Sequence, residues 1–138
     1  MSKHIDPTRE QFAAFMKLPD EGPIWMLNLI RLRKNAKYED GHEATGDEAY
    51  RQYAITSEQF FKGVGGKVIW SGSPKAVLIG PDDEHWDLAF VAEYPSAAAF
   101  GAMVKNPGYQ AIVHHRTAAV KTSRLIRIAP SAAGKIFG

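Results

Sequence analysis

The chain has 138 residues, 45% of them hydrophobic and 23% charged, and a formal net charge of +2. This predicts one globular domain over residues 1–138, and scattered basic residues at so small a net charge favour no nucleic-acid partner. The sequence contains no cysteine, which excludes disulfides, thiolate metal ligands and a cysteine nucleophile. It has neither a signal-peptide pattern nor an apolar run of about eighteen residues, so we expect a cytoplasmic protein without a membrane partner.

In chain order, the first half of the sequence predicts a helix, a strand, a polar loop and a second helix. The short first helix spans residues 6–18, and the strand runs from 24 to about 33. The charged stretch 34–46 is typical of a loop. The second helix ends at Gly65-Gly66, a pair that suits a left-handed C-cap. The expected caps are Asp6, or alternatively Thr8 with Gln11, for the first helix and Thr45 with Glu48 for the second.

The second half predicts three strands and two helices. They are a strand over 67–79 that bends at 72–74, a strand over 86–94, a helix over 96–104, a helix over 107–120 and a strand over 123–128. Residues 130–138 predict a flexible tail, so the core of the domain is expected over residues 20–129.

Without the first helix, the order is strand, helix, strand, strand, helix, strand, which is the ferredoxin-like βαββαβ order. We therefore predict an α+β fold with helices on one side of a four-stranded antiparallel sheet. Strand side chains alternate between the two faces of a sheet. Both faces of the first strand are nevertheless apolar, with Ile24, Met26 and Ile30 on one and Trp25, Leu27 and Leu29 on the other.

An apolar sheet face of this size is not expected to remain in water. We therefore predict a homodimer in which two such faces pack together as a dimeric α/β barrel. The alternative is a monomer in which the first helix and the tail cover the face.

An ordered series of short motifs carries a resemblance to a known family. The motifs are Met26-Leu27-Asn28-Leu29, Gly65-Gly66, Tyr94-Pro95-Ser96 with Ala98 and Phe100, and Asn106-Pro107-Gly108-Tyr109 followed by Arg116. Over about residues 20–129 the chain resembles the uncharacterised domain-of-unknown-function 1330 family (DUF1330) of the dimeric α/β-barrel superfamily. The resemblance implies the fold and dimerisation but no established reaction. Wider relatives include cofactor-free monooxygenases, lactone isomerases and haem-degrading proteins, and this link is by analogy only.

Arg116 is the first candidate for a ligand-binding residue. It falls on the helical stripe of Tyr109, Ile112, Val113 and Val120, where an apolar side chain is expected. A buried guanidinium must be paired or must await an anion, so Arg116 could anchor a ligand carboxylate or enolate. The alternatives are an arginine that reaches out at the helix end, or one paired with Glu93 or Asp87.

Four more residues are candidates for the same pocket between sheet and helices. Asn28 interrupts an apolar strand and could hydrogen-bond a substrate carbonyl; the alternative is a bond to a loop or across the dimer axis. Tyr50 and Tyr53 could direct hydroxyls into the pocket, whereas tyrosines on such stripes are usually core residues. Trp70 could line the cavity or only contribute packing.

His114 and Tyr53 are the candidate catalytic residues, because either could move a proton. His114 and His115 diverge by about 100° on a helix and cannot chelate one metal together, and half-exposed histidines are the plainer interpretation. We expect no metal and no cofactor. The predicted function is small-molecule binding, with cofactor-independent isomerisation or oxygenation of a small acidic or carbonyl compound as its catalytic form. The alternative is a non-catalytic, ligand-binding or stress-associated homodimer.

Overall fold

The computed structural model describes residues 4–132, which form five helices and one four-stranded antiparallel sheet. The helices are α1 Arg9–Lys17, α2 Gly46–Gly63, α3 Ala97–Lys105, α4 Pro107–Ile112 and α5 His114–Ala119. The strands are β1 Ile24–Leu32, β2 Lys67–Gly72, β3 Leu88–Tyr94 and β4 Val120–Ile128.

The sheet has the strand order β2-β3-β1-β4, with β1 and β3 in its centre. In the register of these strands, Asn28 of β1 lies opposite Phe90 of β3 and Leu125 of β4. The two strands that adjoin β1 come from the far half of the chain, as the ferredoxin-like order requires. The predicted α+β fold is confirmed, and the sheet is open.

Local chemistry fixes the starts of α1 and α2; α1 begins after Thr8, the alternative predicted cap, so the prediction of Asp6 as its cap is wrong. The Thr8 and Thr45 side chains accept hydrogen bonds from the backbone N–H groups of Gln11 and Glu48, and both capping boxes are complete. Behind α2, Gly65 adopts a φ of +86°, a left-handed conformation that glycine enters without penalty.

Two predicted elements have different bounds in the structure. The strand predicted over 67–79 ends at Gly72, because Pro74 offers no backbone donor and the residues beyond it find no packing partner: Leu78 is 95% exposed. The helix predicted over 107–120 is divided at Val113, and β4 begins at Val120, where the chain already pairs with β1.

The core lies on the side of the sheet that faces the helices. Met26, Ala92 and Tyr94 of the sheet pack there against Phe100 and Met103 of α3. Helix α1 lies on this same side: the Phe15 ring contacts that of Phe100 at 5.3 Å, and Arg127 donates to the Phe15 and Pro19 carbonyls.

The monomeric alternative predicted that α1 and the tail cover the opposite face of the sheet. For α1 this prediction is wrong, because α1 lies on the helix side. Its other part, the tail predicted over 130–138, lies outside the described residues beyond residue 132.

The opposite face of the sheet carries Trp25, Leu27 and Leu29 of β1, with Ile126 of β4 opposite Leu27. Ile126 is 47% exposed. The loop before β3 reaches this face, where Glu84 accepts a hydrogen bond from Arg124 at 2.9 Å. Over the same residues, no helix combines the length and the apolar character needed to cross a membrane.

Candidate functional site

A cavity of about 1340 Å³ opens between the helices and the sheet. Its floor includes Met26 and Phe90, and α2 and α4 contribute its walls. The chain before α1, through Ile5 and Asp6, lies at its edge. Most of the lining surface is apolar, as is usual for a small-molecule pocket, and exposed charged residues such as Asp47, Arg51 and Lys62 also line it.

Four of the six predicted site residues meet in this cavity, namely Asn28, Tyr50, Tyr53 and Arg116. Trp70 does not, because β2 contains a bulge between Val68 and Trp70. Val68 lies opposite Ala92 on the helix side, whereas Trp70 lies opposite Val91 on the other side. One inserted residue has moved the indole to the far face of the sheet.

His114 also lies outside the cavity, on the exposed side of α5. It belongs to a second polar cluster, in which the Tyr38 ring stacks on His42 at 3.9 Å and meets His114 edge-on at 6.1 Å. The Tyr38 hydroxyl lies 2.7 Å from Nδ1 of His115. Partial burial and the nearby imidazoles of His114 and His42 lower the pKa of His115 below its usual value.

This second cluster does not make a metal site. In the part of the chain that the structure describes, no group of three or more His, Cys, Asp or Glu side chains could hold a metal ion.

Arg116 is a nearly buried cation of the cavity, with 12% of its side chain exposed. Nη1 donates to the Ile5 carbonyl at 2.5 Å, and Nη2 donates to Oγ of Ser123 at 3.3 Å. The Asp6 carboxylate lies 3.6 Å from Nη1 and is 53% exposed. The guanidinium therefore has oxygen partners, but only one is charged, and that one is distant and half in solvent.

The predicted pairing of Arg116 with Glu93 or Asp87 is wrong, because both carboxylates have other partners. Glu93 accepts from Nε1 of Trp25 at 2.8 Å and forms an ion pair with Lys67. Asp87 accepts from the backbone N–H of Leu32 at 2.7 Å. Glu93 lies in β3, and Asp87 directly precedes that strand.

The side-chain amide of Asn28 forms a hydrogen bond within its own strand. Nδ2 donates to the Met26 carbonyl at 3.0 Å, and this is the only hydrogen bond of the Asn28 side chain among residues 4–132. Oδ1 and the second amide hydrogen are therefore available to a molecule in the cavity. The predicted alternative was a bond from Asn28 to a neighbouring loop. No such bond occurs among residues 4–132.

A group of tyrosines supplies the hydroxyls of the cavity. The Tyr53 and Tyr109 oxygens lie 2.7 Å apart, and the Tyr50 and Tyr53 rings are 5.5 Å apart. Burial, followed by the proximity of Tyr53, raises the pKa of Tyr50 and of Tyr109 far above the usual value, while Arg116 opposes the shift. At neutral pH these phenols are uncharged and act as hydrogen-bond donors.

Sequence reasoning missed three contributors to the site. Tyr109 was assigned only to the helical stripe, although it lies seven residues, or about two turns, before Arg116 and so shares its face. Ser123, 6% exposed, had no signal, because its neighbours in β4 from Lys121 to Arg124 are all polar. Ile5 and Asp6 had no signal, because they reach Arg116 only through the fold.

The family model for the domain of unknown function DUF1330 matches residues 41–128. The chain belongs to this family. No protein with a curated description matches it.

Solved structures that are similar to the DUF1330 chain include one protein with more than half of its residues identical. The RPA0582 protein of Rhodopseudomonas palustris, described as a protein of unknown function, is 54% identical over 95% of this chain and 99% of that chain, with a TM-score of 0.90. Its methylated form gives 55% identity, coverage of 98% and 100%, and a TM-score of 0.93. A dimeric protein of unknown function from Bacteroides fragilis, 11% identical over 81% of this chain and 100% of that chain with a TM-score of 0.50, supports the ferredoxin-like fold alone.

Proposed function

We propose that this DUF1330 protein binds a small, largely apolar molecule that carries a carboxylate or enolate. The observation that carries the proposal is the Arg116 guanidinium, which is nearly buried in the wall of a cavity lined with aromatic side chains. A cation in such a place favours an anionic ligand, because the surroundings weaken Coulomb attraction less than water does.

The other polar groups fit the same ligand class. A planar carboxylate matches the two-pronged donor geometry of a guanidinium better than the single carbonyl that Nη1 now contacts. Tyr50 offers a neutral hydroxyl, and Asn28 offers an amide for a carbonyl or hydroxyl further along the molecule. The apolar remainder of the ligand would lie against Met26 and Phe90.

We further propose that the protein is a homodimer that closes over the helix-free face of the sheet. The support is the apolar character of that face, on which Ile126 of β4 is 47% exposed and Trp70 of β2, at the other edge of the sheet, is 50% exposed. Exposed apolar patches of this kind are typical of association surfaces. The Bacteroides fragilis protein of the same fold is itself described as dimeric.

The catalytic form of the proposal is cofactor-independent isomerisation or oxygenation in the same cavity. The pair of hydroxyls on Tyr53 and Tyr109 favours it, since a phenol polarised by a second phenol can stabilise a developing enolate oxygen. The raised pKa of Tyr109 keeps its hydroxyl protonated at neutral pH, which suits a hydrogen-bond donor and not a general base. Ligand binding without turnover needs none of this chemistry and is the function that the geometry supports best.

The test measures binding of benzoate and of its neutral analogue benzamide by isothermal titration calorimetry. We compare the unaltered protein with Arg116→Met and with a control, Arg31→Met, whose arginine lies on the opposite face of β1. Hydrogen bonds to a charged group are worth about 1.5–3 kcal/mol, so Arg116→Met should weaken benzoate binding about ten- to hundred-fold. Equal affinity in all three proteins, or a preference for benzamide, would contradict the proposal.

A further inference from the structure

Residues 4–7, here called the N-terminal strap, cross the edge of the cavity before α1 begins. Two of its backbone carbonyls accept hydrogen bonds from the wall of the cavity. The His4 carbonyl accepts the backbone N–H of Ser123 at 2.6 Å and the Ser123 hydroxyl at 2.8 Å. One residue further on, the Ile5 carbonyl accepts from Nη1 of Arg116.

The strap groups that contact Arg116 and Ser123 are all hydrogen-bond acceptors. Two backbone carbonyls and the Asp6 carboxylate converge on two donor side chains, those of Arg116 and Ser123. An anionic ligand at Arg116 would present the same arrangement of oxygens. The strap therefore occupies the positions in which the ligand's own oxygens would lie.

The contacts of Asp6 and Ile5 with Arg116 can be exchanged for those of a carboxylate. The Asp6 carboxylate makes a single contact of 3.6 Å with Nη1 and is 53% exposed, so solvent screens most of its attraction. The Ile5 carbonyl is neutral, whereas a carboxylate can take two charge-assisted hydrogen bonds from the same guanidinium. Substitution of ligand oxygens for strap oxygens replaces weaker contacts of Arg116 by stronger ones.

We propose that the strap is a built-in competitor, and that a ligand carboxylate enters by displacing Asp6 and the Ile5 carbonyl from Arg116. The inference rests on the proposed function, since it assigns the regulation of that same site. The ligand class it implies is a monocarboxylate with an apolar body, because a single guanidinium is released.

The first arm of the test is an affinity comparison with benzoate in the full chain. Asp6→Asn removes the charge that competes with benzoate and should strengthen its binding about two- to five-fold, the scale of an exposed ion pair. Asp47→Asn is the matched control, because Asp47 also lines the cavity but pairs with Arg51 at 2.9 Å and not with Arg116. Its affinity for benzoate should equal that of the unaltered protein.

The second arm follows the strap by NMR of ¹³C-labelled isoleucine methyl groups, with the Ile5 signal assigned from Ile5→Val. Saturation with benzoate should move this signal to the position of an unstructured isoleucine, and benzamide should leave it in place. An unchanged affinity of Asp6→Asn or an unmoved Ile5 signal overturns the strap proposal while benzoate binding at Arg116 still stands. Absence of benzoate binding in both the unaltered protein and Asp6→Asn overturns the proposed function together with the strap.

Discussion

The hydroxyl oxygens of Tyr53 and Tyr109 lie 2.7 Å apart, and their hydrogen bond joins α2 to α4 beside the cavity. The two residues are 56 positions apart in the chain, so the bond forms only when both helices have docked on the sheet. The rings meet edge-on at 6.3 Å, which adds an aromatic contact to the polar one. The pair therefore holds the cavity wall in shape and presents a hydroxyl to its interior.

Removal of either hydroxyl should destabilise the protein. Tyr53→Phe leaves the Tyr109 hydroxyl without its partner in a buried place, at a cost of about 0.5–1.5 kcal/mol in the free energy of unfolding. Urea denaturation of Tyr53→Phe, Tyr109→Phe and the double variant measures the coupling between them. The double variant should lose less than the sum of the single losses, because the second substitution removes an already unpaired group.

Tyr50→Phe is the internal control for this series, because no hydrogen bond of the Tyr50 hydroxyl occurs among residues 4–132. Its unfolding free energy should change by less than that of Tyr53→Phe. An equal loss in all three single variants would mean that the phenol pair contributes nothing specific.

Periodicity in the sequence was sufficient to bring Asn28, Tyr50, Tyr53 and Arg116 to one cavity. These residues lie on regular elements, where the spacing of apolar positions determines which way a side chain points. The contact of the N-terminal strap with Arg116 could not be predicted from periodicity. Arg116 and Ile5 are 111 positions apart and meet only through tertiary structure.

Trp70 and His114 were misplaced for two different reasons. The β2 bulge after Val68 inserts one residue and reverses the alternation that put Trp70 with the cavity. No composition signal marks such a bulge in this strand. His114 precedes Arg116 by two helical positions, or about 200°, so the two side chains point to opposite sides of α5. That geometry was available from the sequence.

A charge placed on the helix-free face of the sheet should separate the proposed dimer. In Ile126→Glu, dimerisation would bury an unpaired carboxylate, which costs several kcal/mol. Sedimentation velocity at micromolar concentration should therefore give a dimer for the unaltered protein and a monomer for Ile126→Glu. Ile55→Glu is the matched control: Ile55 is 66% exposed on α2, on the other side of the sheet, and this variant should remain dimeric.

Acid should destabilise the protein through His115. Its pKa is lowered in the folded state by partial burial and by the His114 and His42 imidazoles, so the unfolded chain takes up the proton more readily. The stabilising contribution of neutral His115 is complete above pH 6.5, its usual pKa, and is lost as the pH falls through the lower folded value.

Thermal unfolding at pH 8 and pH 5.5 measures this effect. The loss of melting temperature on acidification should be smaller in His115→Asn than in the unaltered protein. His85→Asn replaces an exposed histidine outside the cluster and should keep the full loss. If the melting temperature falls equally in all three proteins, His115 does not cause the acid destabilisation.

Two glycines at opposite ends of α2 should respond to alanine with opposite signs. A Cβ at Gly46 would collide with the carbonyl oxygen of Arg33, which belongs to backbone and cannot rotate away. Gly46→Ala should therefore cost about 1–3 kcal/mol, as overpacking does, and should loosen the loop that returns from β1. At Gly63 a Cβ meets nothing within 4 Å, and alanine restricts the unfolded chain, so Gly63→Ala should stabilise by about 0.4–1 kcal/mol. Urea denaturation measures both variants. If their midpoints shift in the same direction, the close contact between Gly46 and the Arg33 backbone does not determine the effect of alanine at this position.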